Sequence, residues 1–262
     1  MKTIELEKFE EFTPWVDQNI GEIQLLFRGQ SNSEWDLETT LERDFGKNIG
    51  LEYYYKRVCV AKPQIETYTG ERWTIPDFNQ YQEWIKKCRG DNINFAFDFM
   101  GYEFMAYLRH HGFPSPLLDW SRSPFVAAFF AFRHAKKGKV SIYAYSEYPK
   151  GFKSGQSGKA LIRVLGPYIK THKRHFQQQS WYTVCAMIQP PILSEDSYFA
   201  HHESVFAETN DDQDALWKFN FPASEREKVL KHLNRYNLNA FSLFGSEESL
   251  CETVAYNAFS RE

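Results

Sequence analysis

The chain has 262 residues, 42% of them hydrophobic and 17% aromatic, which is ample apolar material for a folded core. Its formal charge of −3 supplies no global basic field, so any contact with nucleic acid rests on a local patch. The four cysteines form no CxxC pair, which argues against a zinc ribbon or a disulfide scaffold, and no apolar run approaches the roughly 20 residues that span a bilayer. With no charged-then-apolar leader at its start, a cytoplasmic protein without a membrane partner is expected.

From the N-terminus, Phe9, Phe12, Trp15 and Val16 recur at helical spacing and predict an amphipathic helix over 4–19. Ile23 to Phe27 reads as a buried strand ending at Arg28, with a glycine turn through Gly29, Gln30 and Ser31. An arginine at the inner end of such a strand needs an anionic partner, either a carboxylate such as Asp36 or Asp119 or a ligand phosphate. Trp35 and Leu37 suggest a brief extended piece. Thr39 to Phe45 then leads into a largely helical stretch over about 40–110, with tyrosine-rich, Trp84-centred and Phe97-to-His111 segments broken at Gly70 to Asp77.

The run from His111 to Ser121 holds Gly112, Pro114 and Pro116, which forbid regular helix and predict a stiff turn. That turn carries a histidine, a carboxylate (Asp119), an indole (Trp120) and a hydroxyl (Ser121), and polar groups on a stiff turn suit a ligand. Each also has a structural use: Asp119 can accept backbone N–H groups, Trp120 fits a core, and Ser121 or Ser123 can cap the apolar helix that begins with Pro124 at N1. Beyond Lys139 the period changes. Val140 to Tyr145 alternates as a half-buried strand does, and further strands are predicted at Ala160 to Val164, Thr183 to Ile188, Ala215 to Phe221 and Asn239 to Phe244. A mobile loop is expected over Tyr148 to Lys159 and a helix over Ser224 to Tyr236. The basic segment Lys170 to His175 suits a solvated surface loop better than a nucleic-acid patch. The ordering, helices first and strands later, predicts an α+β fold in one domain over 1–262.

Phe27-Arg28-Gly29 with Gln30, and His111-Gly112-x-Pro114-x-x-Leu117-Leu118-Asp119-Trp120-Ser121, together resemble the FRG domain, a bacterial family. Leu243-Phe244-Gly245-Ser246-Glu247-Glu248-Ser249-Leu250 and the pair Gln178-Gln179 resemble further segments of it. The order of arginine, serine and late carboxylate is in turn similar to ADP-ribosyltransferases. That resemblance implies a mixed or antiparallel β core with the stretch at 40–110 as a helical insertion, and NAD as the substrate that serves as cofactor. It further implies that Arg28, with Gly29 and Gln30, grips NAD, that Ser121 meets the nicotinamide ribose beside Trp120, and that Glu248 acts as the catalytic carboxylate, with His111 and Asp119 as further catalytic candidates. Glu247 or Glu252 could replace Glu248. A bacterial toxin or anti-phage setting follows from the resemblance alone, with a nucleic-acid or protein acceptor and an antitoxin or other regulatory partner. Two other readings stand beside it. One is a non-catalytic module binding nucleotide or nucleic acid, with Arg28 and His111 on phosphate. The other is a metal-dependent hydrolase or nuclease built on His110, His111 and Asp119 or on His201, His202 and Glu203, although neither cluster has HExxH spacing.

Overall fold

The stretches of period-two sequence assemble into one mostly antiparallel sheet of eight strands in the computed structural model, which describes residues 1–90, 99–151, 158–193, 195–208 and 213–260. The strands are β1 (Lys2–Glu5), β2 (Leu26–Gln30), β3 (Leu117–Ser121), β4 (Lys139–Glu147), β5 (Ala160–Leu165), β6 (Ser180–Met187), β7 (Tyr198–Phe199) and β8 (Asp214–Pro222). Their order is β1-β8-β4-β2-β3-β6-β5, with β7 also paired to β6, and only β1 and β8 run parallel. The fold is mixed α/β. The helices are α1 (Phe12–Asn19), α2 (Thr40–Phe45), α3 (Leu51–Thr69), α4 (Phe78–Gly90), α5 (Tyr102–His110), α6 (Pro124–Arg133), α7 (Arg174–Gln177), α8 (His202–Glu208), α9 (Arg226–Arg235), α10 (Ala240–Phe244) and α11 (Glu247–Phe259).

Four expectations are corrected. The N-terminal helix is shorter than its apolar spacing suggested, because Lys2–Glu5 pairs with Trp217 to Asn220 of β8 as an edge strand and only the later Phe12 and Val16 face the core from α1. Val140 to Tyr145 is buried on both faces rather than one: Val140, Ile142 and Ala144 pack with Phe27, Phe219 and α6, while Tyr143 and Tyr145 pack with Leu26, Trp120 and Leu216. Arg28 and Gly29 lie inside β2, not in a turn after it. Residues 239–244 are helical, because Asn239 accepts the Ser242 amide as an N-cap, Gly245 closes α10 at φ 60°, and Ser246 caps α11 in turn. The strand over 160–165 and the helices over 124–133 and 226–235 match the sequence reading, with Ser123 capping α6 and Pro124 at N1. Half of the loop expected over 148–159, residues 152–157, lies outside the described residues, as does the start of the Phe97 segment.

Two constraints shape the centre of the sheet. Across β2 and β4 five residue pairs face each other, and across β3 and β6 another five, but β2 and β3 pair at one position, Phe27 opposite Ser121. Beyond that pair the two halves of the sheet part. Helix α6 then crosses β2 at Gly29 so closely that a Cβ there would lie 1.9 Å from the Ala127 carbonyl oxygen and 2.5 Å from the Ala131 nitrogen. The glycine of the tripeptide therefore serves close packing of helix on strand, and the small residues Ala127, Ala128 and Ala131 on α6 serve the same approach.

Substituting Gly29→Ala should therefore lower stability by about 3 kcal/mol, since backbone rather than a flexible side chain must give way. Gly112→Ala, at φ 85° with open space around it, should cost only about 1 to 2 kcal/mol of left-handed strain. Urea titration of the two variants checks the ranking, and equal midpoints would contradict it.

Candidate functional site

Where β2 and β3 part, the gap opens into a cleft of about 880 Å³, a volume suited to a nucleotide-sized ligand. Its floor is β2 and β3, and its walls come from the loop 31–38, α2, the end of α5, α6 and the start of α7. Four arginines (Arg28, Arg43, Arg109 and Arg174) and four carboxylates (Glu34, Asp36, Glu38 and Asp119) line it.

Arg28 bridges the parting strands. Its Nη1 donates to the Asp119 main-chain oxygen at 3.0 Å, in place of a ladder bond that β2 and β3 do not make there. Its Nε is buried with no hydrogen-bond partner among the described residues. Desolvation by this setting pushes the guanidinium down to about 10, opposed by the Asp119 charge, so Arg28 remains a cation at neutral pH with an unsatisfied donor. The neighbouring Gln30 donates Nε2 to the Asp36 carbonyl at 3.1 Å, while its buried Oε1 is also unpartnered.

Asp119 projects into the cleft from β3 with its side chain 43% exposed. Arg109, at the end of α5, grips both carboxylate oxygens through Nε and Nη2, and its Nη1 donates to Thr40 Oγ1 at 3.1 Å. Burial alone would raise the carboxyl, but Arg109 and Arg28 outweigh that effect and hold it below the ordinary aspartate range. The result is a fixed carboxylate with its outer lone pairs facing open space. Sequence reasoning passed over Arg109. A signal existed: it lies four residues after Met105, which is fully buried on α5, and a cation on that face needs an anion.

The other expected residues divide. Ser121 lines the cleft but its hydroxyl is engaged, donating to the Gln178 carbonyl at 2.7 Å and accepting the Ser123 amide at 3.0 Å. Trp120 reaches the cleft edge, yet its ring packs 5.4 Å from Tyr145 and its Nε1 donates to Thr183 Oγ1, so it serves mainly as core. Gly29 lines the floor beneath α6. His111 does not join them: it lies on a separate cleft with Tyr107 and His172, because the turn at Gly112 directs it to the far side of α5. His110 takes the place in the main cleft instead, hydrogen-bonded through Nε2 to the Tyr182 hydroxyl at 2.8 Å and pushed down to about 4 by burial. Glu248 is fully exposed in the first turn of α11 and is not part of the cleft lining, and Glu252 is paired with Arg133. His201 binds Glu42 and His202 binds Thr183 Oγ1, and among the described residues no group of three or more His, Cys, Asp or Glu is placed to hold a metal.

The arrangement defines a mixed α/β protein with a split sheet and an arginine-bearing cleft at the split. Within it, residues 23–139 match the family model of the FRG domain, which supports that family for the segment carrying Arg28, Arg109 and Asp119. No curated protein and no solved structure matches the chain significantly.

Adjacent histidines behind the cleft give stability a pH optimum. His202, 1% exposed, is pushed down to about 3 by desolvation, so between that value and about 6.5 the unfolded chain binds more protons and acidification destabilises by about 1.4 kcal/mol per pH unit. His201 is raised by its hydrogen bond to Glu42, so its contribution is complete below about 6.5 and lost as pH rises through its folded value. Melting temperature should peak near pH 6.5, as an order-of-magnitude placement. His202→Gln should make the acid limb shallower, with His110 keeping part of it, and His201→Gln should flatten the alkaline limb; unchanged limbs in both variants would count against these assignments.

Proposed function

We propose that the cleft binds NAD and transfers its ADP-ribosyl group to a macromolecular acceptor, on an ADP-ribosyltransferase-like core. The observation that carries this reading is the opposition, across one gap, of an arginine with an unsatisfied buried donor and a carboxylate locked in its charged form. The split between β2 and β3, with Arg28 on one side and Asp119 and Ser121 on the other, supports it as well.

Arg28 lines the cleft and would hold the pyrophosphate through its guanidinium, whose enclosed Nε has no partner among the described residues and would meet the ligand once the side chain shifts. Gln30 lines the cleft with an unpaired but enclosed Oε1, an acceptor that a turn of the side chain would offer to a ribose hydroxyl. When bound, NAD supplies the group to be moved: the bond between ribose C1 and nicotinamide nitrogen breaks with its electron pair leaving on nicotinamide, and C1 bonds to an acceptor oxygen or nitrogen whose proton passes to solvent. Asp119 is the carboxylate placed to stabilise positive charge at that carbon, replacing the Glu248 assignment, and Arg109 is the positioning residue that keeps it ionised and aimed. Ser121 fixes the Gln178 wall rather than reacting. The toxin or anti-phage setting with a restraining partner belongs to the same reading and rests on the family resemblance.

Nicotinamide release by the full chain is the direct test, and binding of NAD without release would instead favour a nucleotide-binding module. Arg28→Lys keeps the charge but loses the planar fork, and should weaken NAD binding by about 1 to 3 kcal/mol in calorimetry. Asp119→Asn should retain NAD binding and lower turnover by about 10² or more, whereas Glu248→Gln should remain fully active. Arg109→Lys should lower kcat more than it raises KM. Full turnover by a folded Asp119→Asn would remove the carboxylate role from β3.

A further inference from the structure

The basic segment before α7 lies against both clefts. Arg174 lines the main cleft, while Lys170, Thr171 and His172 line a second one of about 510 Å³. The opposite wall of the second cleft is aromatic: Trp73 and Tyr107 have ring centroids 4.5 Å apart, and Tyr107 and His111 4.4 Å. His172 stands between the clefts, 6.2 Å from His110 and 5.7 Å from His111 by ring centroid. Its Nδ1 accepts the Arg174 amide, which leaves Nε2 to carry the hydrogen as a donor. Two apolar rings flank the same segment without burying themselves, Tyr168 at 93% exposure and Phe176 at 65%. Thr171 Oγ1 is buried with no partner among the described residues.

Exposed rings interleaved with cations are a poor fit to a merely solvated loop, where cations alone suffice and rings carry a hydration cost. They are what a flexible polyanion with flat faces requires: bases stack on the rings and phosphates meet the cations. We propose that the stripe from Tyr168 to Phe176 and the second cleft beside it bind single-stranded nucleic acid and present it to the main cleft as the acceptor. A strand suits this cleft better than an acidic peptide, because its bases offer flat faces to the rings and exocyclic amines to Glu71 and Glu103, and an acidic peptide offers neither. The acceptor role rests on the transferase reading, but the binding role does not.

The test uses the full chain and a fluorescein-labelled single strand of about 12 nucleotides, RNA and DNA in separate titrations, read by anisotropy without NAD. Wild type should bind at about 50 mM salt, with affinity falling as salt rises. The double substitution Tyr168→Ala with Lys170→Glu should weaken binding about tenfold or more and leave the melting temperature unchanged, since both side chains are exposed. Tyr68→Ala, which removes an equally exposed ring at 92% exposure on α3, should leave binding unchanged. No binding at low salt, or equal losses in both variants, overturns the strand site. Radiolabel from NAD entering the oligonucleotide supports the acceptor role, and label entering only protein overturns it. A strand that binds while nicotinamide is never released rejects the transferase reading and keeps the strand site, whereas release without strand binding does the reverse.

Discussion

One backbone pair, Phe27 with Ser121, and one side chain, Arg28, join the two halves of this sheet. Arg28 donates across the gap to the Asp119 main chain, where β2 and β3 have stopped pairing, and the Asp119 carboxylate is held from the other side by Arg109. Burying one cation beside another is unfavourable: Arg109 adds to the desolvation that loosens the proton of Arg28 and Asp119 opposes it, while the same carboxylate raises Arg109 in spite of its burial. Thr40 then ties the end of α5 to α2 through Arg109, so the geometry of the cleft walls depends on this chain of groups. An opening in a sheet normally exposes unsatisfied backbone; here charged side chains satisfy part of it and leave one donor over.

The rim opposite that triad is rigid for a different reason. Loop 31–38 has no regular structure, but its backbone is fastened from two strands and a helix: Lys218 Nζ donates to the Ser33 carbonyl at 2.6 Å, the Tyr143 hydroxyl to the Trp35 carbonyl at 3.3 Å, and the Leu37 amide to Glu203 Oε1 at 3.0 Å. With the main chain fixed, Glu34, Trp35 and Asp36 present their side chains to the cleft. A loop anchored in this way can offer polar groups to a ligand without first being ordered by it.

Local chemistry was legible in the sequence wherever it was decided locally. Pro124 behind Ser123, the alternation at 140–145 and the amphipathic pattern of 226–235 each fixed an element, because caps and periodicity act over a few residues. Arg28 on one short motif and Asp119 and Ser121 on another were recognisable as candidates for the same reason, whereas their meeting across 91 positions followed from the family resemblance. What could not be read was set by distant packing. Gly29 looked like a turn residue until α6 was seen lying on it, and Asn239 to Phe244 looked like a strand because its apolar residues do not reveal that Asn239 and Gly245 bound a short helix. The sequence points to His111 over His110, but one residue of rotation at the end of α5 sends His110 to the main cleft and His111 to the second. Arg109 and Asp119 are ten positions apart in sequence, and only the turn between α5 and β3 makes them partners.

The segment matched as an FRG domain ends at Lys139, the first residue of β4, and this divides the sheet unevenly. Within the segment lie β2 and β3, yet the ladders that hold them are made with β4 and β6, and β4 in turn is held by β8. A ribosome that has released only the first half of the chain has therefore produced the arginine and the aspartate without the strands that set them facing each other. The ladder behind β2 is complete only when residues up to Pro222 have paired, and the last wall of the cleft, Phe244, follows later still, so a fragment cut short of β8 carries the arginine and the aspartate without the cleft.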